Sequence, residues 1–172
     1  MLQRAKLGMA LFLLNEAVFF FLLLTGFIYF RNAASPEPAR SLSLAVTGIY
    51  TGCLLGGCFT MWRVTASAGG VRCWLCGTVA FGAAFLIGQA QQYSRLVRRN
   101  ITISNSLSGS TYFTLTGFLG LHVLVGVILL IAALFFSRMR DRAAVQALAL
   151  YWYFVAAVWL VIFVVVYVLA FL

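Results

Sequence analysis

The chain has 172 residues, of which 64% are hydrophobic and only 9% are charged, and its mean hydropathy is +1.05. A surface polar enough to keep a globular domain in water cannot be assembled from this composition, which is typical of an integral membrane protein. The formal net charge of +9 would suggest nucleic-acid binding in a soluble protein. Here the basic residues fall between apolar runs, where they meet headgroups, so we expect contacts with membrane lipids and none with nucleic acid.

Five apolar stretches are long enough to cross a bilayer, since each is near or above the ~20 residues that a spanning helix needs. They cover residues 4–30, 41–66, 71–97, 106–137 and 143–171. The connections are short, which makes consecutive helices antiparallel neighbours. The sequence therefore predicts an all-α integral membrane protein, with residues 1–172 forming a single bundle of five transmembrane helices and no soluble domain. The first stretch is longer than the ~7–15 apolar residues of a signal peptide, so we expect it to be retained.

The lysines and arginines near the helix ends predict the orientation. One side of the membrane collects Arg4, Lys6, Arg63, Arg72, Arg138, Arg140 and Arg142, and the other collects Arg31, Arg40, Arg95, Arg98 and Arg99. The side richer in basic residues is normally cytoplasmic. We therefore expect a cytoplasmic N-terminus and a periplasmic C-terminus.

Small residues recur at helical spacing in the second and fourth helices. Gly48, Gly52 and Gly56 follow one another at steps of four, and Gly117 and Gly120 lie among hydroxyl residues. Bare backbone of this kind favours close helix packing. A pore lining is the alternative for the second helix, but it needs more polar groups than that stripe offers.

The third helix ends in a polar turn that contains Gln89, Gln92 and Tyr93. Such a turn is typical of a helix end at the membrane interface, and it would also suit a docking edge for another subunit. The last helix adds Trp152 and Trp159. We take these five residues as candidates for contacts with other subunits or with lipid.

Glu16 and the only histidine, His122, lie at similar depth in the first and fourth helices. Glu16 is about twelve residues into its helix, or roughly 18 Å, where an unpaired carboxylate would cost several kcal/mol. The sequence therefore predicts a Glu16–His122 pair. A helix clamp is favoured over a proton relay, because a relay needs further acid-base groups at that depth.

Catalytic, metal and cofactor sites are not expected within this chain. Cys73 and Cys76 have metal-site spacing, but no second ligand pair accompanies them. A single histidine cannot give a haem two imidazole ligands, and no nucleophile has a base nearby.

Several ordered motifs resemble those of a known family. They are the run Leu11–Phe20, Gln89-Ala90 with Tyr93, Phe113–Phe118, Gly120-Leu121-His122, Tyr151-Trp152, Phe154-Val155 and Val158-Trp159-Leu160. Together they resemble subunit III of haem-copper terminal oxidases of the cytochrome c oxidase type, in the short bacterial form with five helices. The outer loop, with Thr102-Ile103-Ser104 followed by Gly109-Ser110-Thr111, is similar as well.

The resemblance implies an accessory subunit without cofactors in the aerobic respiratory chain of a bacterial inner membrane. It would pack on catalytic subunit I, which holds haem and copper, beside other oxidase subunits. It would also bind phospholipid and help sustain proton uptake, with Glu16 matching the intramembrane glutamate of the family. Membership of a larger respiratory supercomplex stays open.

Several positions depart from the family pattern. Leu119 stands where a histidine is usual, Tyr153 and Ala156 replace a histidine and an aspartate, Gln92 replaces a glutamate and Ala10 a tryptophan. Four of these changes remove polar or ionisable groups, so they favour a structural and lipid-binding role over proton collection. One alternative is an accessory subunit of a nitric oxide reductase. The other is an independent small transporter, and a transporter would need a polar path or internal repeats.

Overall fold

The computed structural model describes residues 2–31, 44–66, 70–102, 107–135 and 142–168. These segments hold five long helices: α1 Leu2–Arg31, α2 Leu44–Ala66, α3 Val71–Arg98, α4 Leu107–Phe135 and α5 Arg142–Phe163, the last continued by a π-helical turn Val164–Val168. Each of the five is long and apolar enough to span a membrane. The predicted all-α bundle with five spans is confirmed, and the helix ends differ from the predicted ones by a few residues where both are described. The predicted ends at 41–43, 106, 136–137 and 169–171 lie outside the described residues.

Both ends of α3 are fixed by backbone geometry. The helix begins after Gly70, whose φ of 71° is left-handed and suits glycine. It ends where Asn100 adopts a φ of 59° while its N–H bonds to the Val97 carbonyl and the Ile101 N–H bonds to the Leu96 carbonyl at 3.1 Å. This pair of bonds is a Schellman motif, which ends the helix without leaving its last carbonyls unsatisfied.

Helix α5 lies at the centre of the bundle. It packs against α1, α2 and α4, while α3 lies between α2 and α4 and α1 contacts α4 and α5. The side chain of Trp152 on α5 is only 1% exposed. It is surrounded by one glycine from each of three other helices, since a Cβ would lie 3.1 Å from the indole at Gly57, 2.7 Å at Gly82 and 3.2 Å at Gly126.

The glycines of α2 divide into two groups. A Cβ at Gly56 would lie 3.1 Å from the Phe81 ring, so this residue permits close packing of α2 on α3. A Cβ at Gly48 or Gly52 would meet nothing within 4 Å. Packing at these two positions therefore stays a prediction, and it concerns a contact outside the described part of this chain.

Three threonine hydroxyl groups of α2 point into the bundle. The side chains of Thr47, Thr51 and Thr60 are at most 7% exposed. Thr51 donates to the Thr47 carbonyl at 2.9 Å, and the Thr60 hydroxyl is 2.9 Å from the Thr78 hydroxyl of α3. These hydroxyls are therefore bonded inside the protein, to the backbone of α2 and to side chains of α3 and α5.

Candidate functional site: polar contacts between the helices

Glu16 and His122 meet between α1 and α4. The Glu16 Oε2 atom is 3.1 Å from the His122 Nε2 atom, and the two side chains are 17% and 14% exposed. The Phe20 ring packs edge-on against the imidazole, with a centroid distance of 5.1 Å. The two residues predicted to pair are therefore in hydrogen-bond contact and are mostly removed from the lipid.

The second nitrogen of His122 determines how protons are distributed in this pair. Its Nδ1 atom is 2.8 Å from the Phe118 carbonyl, which can only accept a hydrogen bond, so Nδ1 carries a proton. A hydrogen bond between Nε2 and Oε2 then needs one further proton, which lies either on Glu16 in a neutral pair or on His122 in an ionic pair. Either form keeps the two helices bonded, so a transfer of this proton within the pair does not release the contact.

Helix α5 joins the same site through Tyr151. The Tyr151 hydroxyl donates to the backbone carbonyl of His122 at 2.8 Å. Gly126, one turn further along α4, makes room for this approach, because a Cβ there would lie 3.2 Å from the Tyr151 ring. Three helices therefore meet at His122. This contact of Tyr151 could not be predicted from the sequence, because its partner is a backbone atom.

A second group of bonds connects α3 to α4. The Gln89 amide donates to the Thr116 carbonyl at 2.6 Å and to the Tyr93 hydroxyl at 3.2 Å. The Tyr93 hydroxyl is also 2.8 Å from the Thr116 hydroxyl. Gly120 accommodates this group, since a Cβ there would lie 2.5 Å from the Gln89 Oε1 atom, whereas at Gly117 the nearest atom would be 3.5 Å away.

A third group of bonds connects α2 to α3 and α5. The Gln92 amide donates to the Thr47 hydroxyl at 2.6 Å. The Trp159 indole N–H donates to the Thr51 hydroxyl at 3.0 Å. Gln92 is 3% exposed and Trp159 is 2% exposed, so both bonds lie inside the bundle.

The interpretation of five residues as subunit or lipid contacts is wrong for the four that are buried within this chain, and it stays a prediction for the fifth, which is partly exposed. Four of them are at most 7% exposed, and the fifth, Tyr93, is partly buried in the bonds just described. They are Gln89, Gln92, Tyr93, Trp152 and Trp159. The physical reason is that carboxamides and large rings at these depths pack between neighbouring helices of the same chain, where they are shielded from lipid. The Trp152 indole N–H is buried there without a hydrogen-bond partner among the described residues.

Two apolar cavities open near one end of the bundle. The larger, of about 560 Å³, is lined by residues of all five helices, among them Met9, Met61, Leu75, Ala133 and Leu148. The smaller, of about 290 Å³, lies beside His122 and shares Met9 and Leu129 with the first. Within the described segments, no three His, Cys, Asp or Glu side chains come together in a group that could hold a metal ion.

Taken together, these contacts define a class: a helical membrane protein with five spans whose buried polar side chains bond one helix to another. The model of the family described as "Cytochrome c oxidase subunit III" matches residues 67–171, more than half of the chain. The chain belongs to this family.

Curated relatives extend the match over nearly the whole chain. Cytochrome c oxidase subunit 3 of Synechocystis is 34% identical over 94% of this chain and 74% of its own length. The protein of the same name from Corynebacterium diphtheriae is 32% identical, over 94% of this chain and 86% of its own. A third, from Thermostichus vulcanus, is 27% identical over 95% and 86%. The resemblance found in the sequence is thereby confirmed.

Gly117 and Gly120 of α4 give a matched test of the α3–α4 bonds. We expect Gly120→Ala to lower stability by about 1–3 kcal/mol, because its Cβ displaces Gln89 from the Thr116 carbonyl. Gly117→Ala is expected to change little, because its Cβ has ordinary space. The measurement is the thermal unfolding midpoint of the detergent-solubilised protein. Equal midpoints for the two variants would contradict this role of Gly120.

Proposed function

We propose that this chain is an accessory subunit of a proton-pumping cytochrome c oxidase and packs on its catalytic subunit I in a bacterial inner membrane. The haem and copper of the complex would belong to partner subunits, and this chain would contribute no catalytic residue. The observation that carries the proposal is the family match together with the use of this chain's buried polar side chains in bonds between its own helices. The curated relatives carry the cytochrome c oxidase name, which favours this reading over a nitric oxide reductase.

The orientation is part of the proposal. The end of the bundle where α2 finishes and α3 begins carries Arg63 and Arg72, and further basic residues of the sequence belong to the same side. This side would be cytoplasmic, with the C-terminus in the periplasm.

A co-purification experiment tests the proposed function. With an affinity tag after Leu172, the chain is expected to co-purify from native membranes with proteins whose optical spectra show haem. The tag should be open to protease in intact spheroplasts, because it would lie in the periplasm. Purification of the chain without haem-containing partners would contradict the subunit role, and a tag protected in spheroplasts but cleaved in inside-out vesicles would contradict the orientation alone.

Within the subunit, Glu16 and His122 would act first as a clamp between α1 and α4. In the described part of the chain, Glu16 has His122 as its only hydrogen-bond partner. The proton of Tyr151 is engaged with the His122 carbonyl. A proton relay would need a further acceptor, and the usual ionisable residues of the family are replaced at Leu119, Tyr153 and Ala156. Support of proton uptake is the competing role for this pair. Substitutions of Glu16 distinguish the two roles.

Substitutions of Glu16 distinguish clamp from relay. Glu16→Gln keeps a donor for the His122 Nε2 atom, so assembly and the decay of oxidase activity during turnover should both stay near wild type. Glu16→Leu leaves a largely buried nitrogen unpaired, which costs about 1–3 kcal/mol, so less of the chain should remain in the detergent-extracted complex. Faster decay of activity in Glu16→Gln would instead support the relay. Unchanged complex levels in Glu16→Leu would contradict the clamp.

Phospholipid binding is the remaining part of the proposed role. The larger cavity has the size of an ordinary ligand site. Its lining side chains are apolar and disfavour water, and an acyl chain is the apolar molecule that a bilayer supplies. Arg63 and Arg72 at the same end would attract the phosphate of the headgroup.

A filled cavity tests this part. We expect Ala133→Phe to remove one tightly held phospholipid from the purified complex, as counted by native mass spectrometry. Ala80→Phe, at an exposed position of α3 outside the cavity, is the matched control and should leave the count unchanged. An unchanged lipid count in Ala133→Phe would contradict binding in this cavity.

A further inference from the structure

The first helix is the least covered part of the bundle. Only 6% of an 18-residue apolar stretch within its span Leu7–Phe30 is buried in the protein, against 28% to 44% for the corresponding stretches of the other four spans. Its inner side packs on α4 and α5 through Phe20, Phe27 and the Glu16 contact. Its opposite side is open along the whole length of the span.

One line of exposed residues runs down this open side at alternating steps of three and four. It comprises Leu11, Asn15, Val18, Leu22 and Thr25, and we call it the outer stripe of α1. Leu11, Val18 and Leu22 are 60%, 54% and 63% exposed. This spacing places the five side chains on one narrow face, which is the geometry of a seam between two helices.

Asn15 is the member of the stripe that does not suit lipid. Counted from Leu7, where the described span begins, it is the ninth residue and therefore lies about 12 Å inside the span. Its carboxamide makes no hydrogen bond with any residue that the structure describes. A carboxamide without partners in hydrocarbon is unfavourable, because neither its N–H donors nor its oxygen can reach water.

The other exposed amides and aliphatic hydroxyls in the described spans each make at least one hydrogen bond. Thr25, Ser94 and Thr114 donate to carbonyls of their own helices at 2.8 to 3.0 Å. Thr65 does the same at 2.9 Å, and Gln91 accepts from Tyr50 at 2.9 Å. Among exposed amides and aliphatic hydroxyls of these segments, Asn15 alone lacks a partner. Low burial and unmet hydrogen bonding therefore coincide on the same face.

We infer that the outer stripe of α1 docks a transmembrane helix of another oxidase subunit, which presents a hydroxyl or carboxamide to Asn15 in the middle of the membrane. The inference rests on the proposed function, since a subunit of an oxidase is assembled beside membrane chains that differ from it. Such a partner covers the apolar stripe and satisfies the Asn15 donor and acceptor together, which lipid cannot do. The contact lies on the side of α1 opposite the Glu16–His122 pair, so α1 is held on two sides.

Substitution of Asn15 tests the inference by the direction of its effect. If the stripe docks a helix, Asn15→Leu lowers the amount of this chain retained per haem after detergent extraction by at least about threefold. Asn15→Gln, which keeps both donor and acceptor, restores most of it. If Asn15 faces lipid, Asn15→Leu makes α1 more apolar and leaves retention unchanged or higher, and this result overturns the inference. The retention of each variant is divided by its level in the membrane before extraction, which corrects for differences in membrane insertion.

Thr114→Leu is the matched control. It also replaces an exposed polar side chain of a spanning helix by leucine, but the Thr114 hydroxyl is already bonded to its own helix. Its retention should equal that of the wild type. A loss of retention as large as that of Asn15→Leu would overturn the assignment to the outer stripe.

Photocrosslinking identifies the occupant in the intact complex. A benzophenone amino acid at Val18, one turn from Asn15, should form an adduct with a different membrane subunit that mass spectrometry can identify. Adducts with lipid only, or with a second copy of this chain, would overturn the inference. If the chain still co-purifies with haem in that case, the proposed function stands and the docking surface alone fails.

Discussion

The rest of this structure depends on one constraint: a hydrogen-bonding group inside a membrane must find its partner within protein. The chain meets this constraint for most of its buried groups with three sets of contacts, whereas the Trp152 indole N–H and the Gln146 side-chain oxygen find no partner among the described residues. One set joins α1, α4 and α5 at His122, one joins α3 to α4 at Gln89, and one joins α2 to α3 and α5 through Gln92 and Trp159. Apolar helices slide and rotate against one another at little cost, because lipid and side chain are equally apolar. The polar contacts fix the register that apolar packing alone leaves open.

The sequence predicted the architecture well, and the reason is physical. Length and hydropathy determine which segments cross a bilayer, so the five spans followed from composition and run length alone. The Glu16–His122 contact could also be predicted, because two ionisable groups at the same depth have few other ways to be satisfied. Tyr151 could not, since its partner is a backbone carbonyl that leaves no trace in the sequence.

The residues assigned to outside contacts show the limit of such reasoning. Gln89, Gln92 and Trp159 are amphipathic, and in a sequence they look the same whether they face a headgroup, a subunit or a neighbouring helix. Only the rotation of each helix about its axis decides, and hydropathy carries little information on rotation when most positions are apolar. Glycines were ambiguous for the same reason: Gly56 packs against Phe81, whereas Gly48 and Gly52, on the same stripe, face open space.

The indole of Trp152 has a consequence for how this sequence can change over time. Its ring occupies the space left by glycines on α2, α3 and α4, so each of Gly57, Gly82 and Gly126 is constrained by a residue far away in the chain. A larger residue at Gly82 would collide with the ring, one at Gly57 or Gly126 would force the ring to shift, and a smaller residue at 152 would leave a void beside all three glycines. These four positions are expected to vary as a unit among related chains, with single replacements removed by selection. Such linked variation would mark the centre of the bundle even where no structure is known.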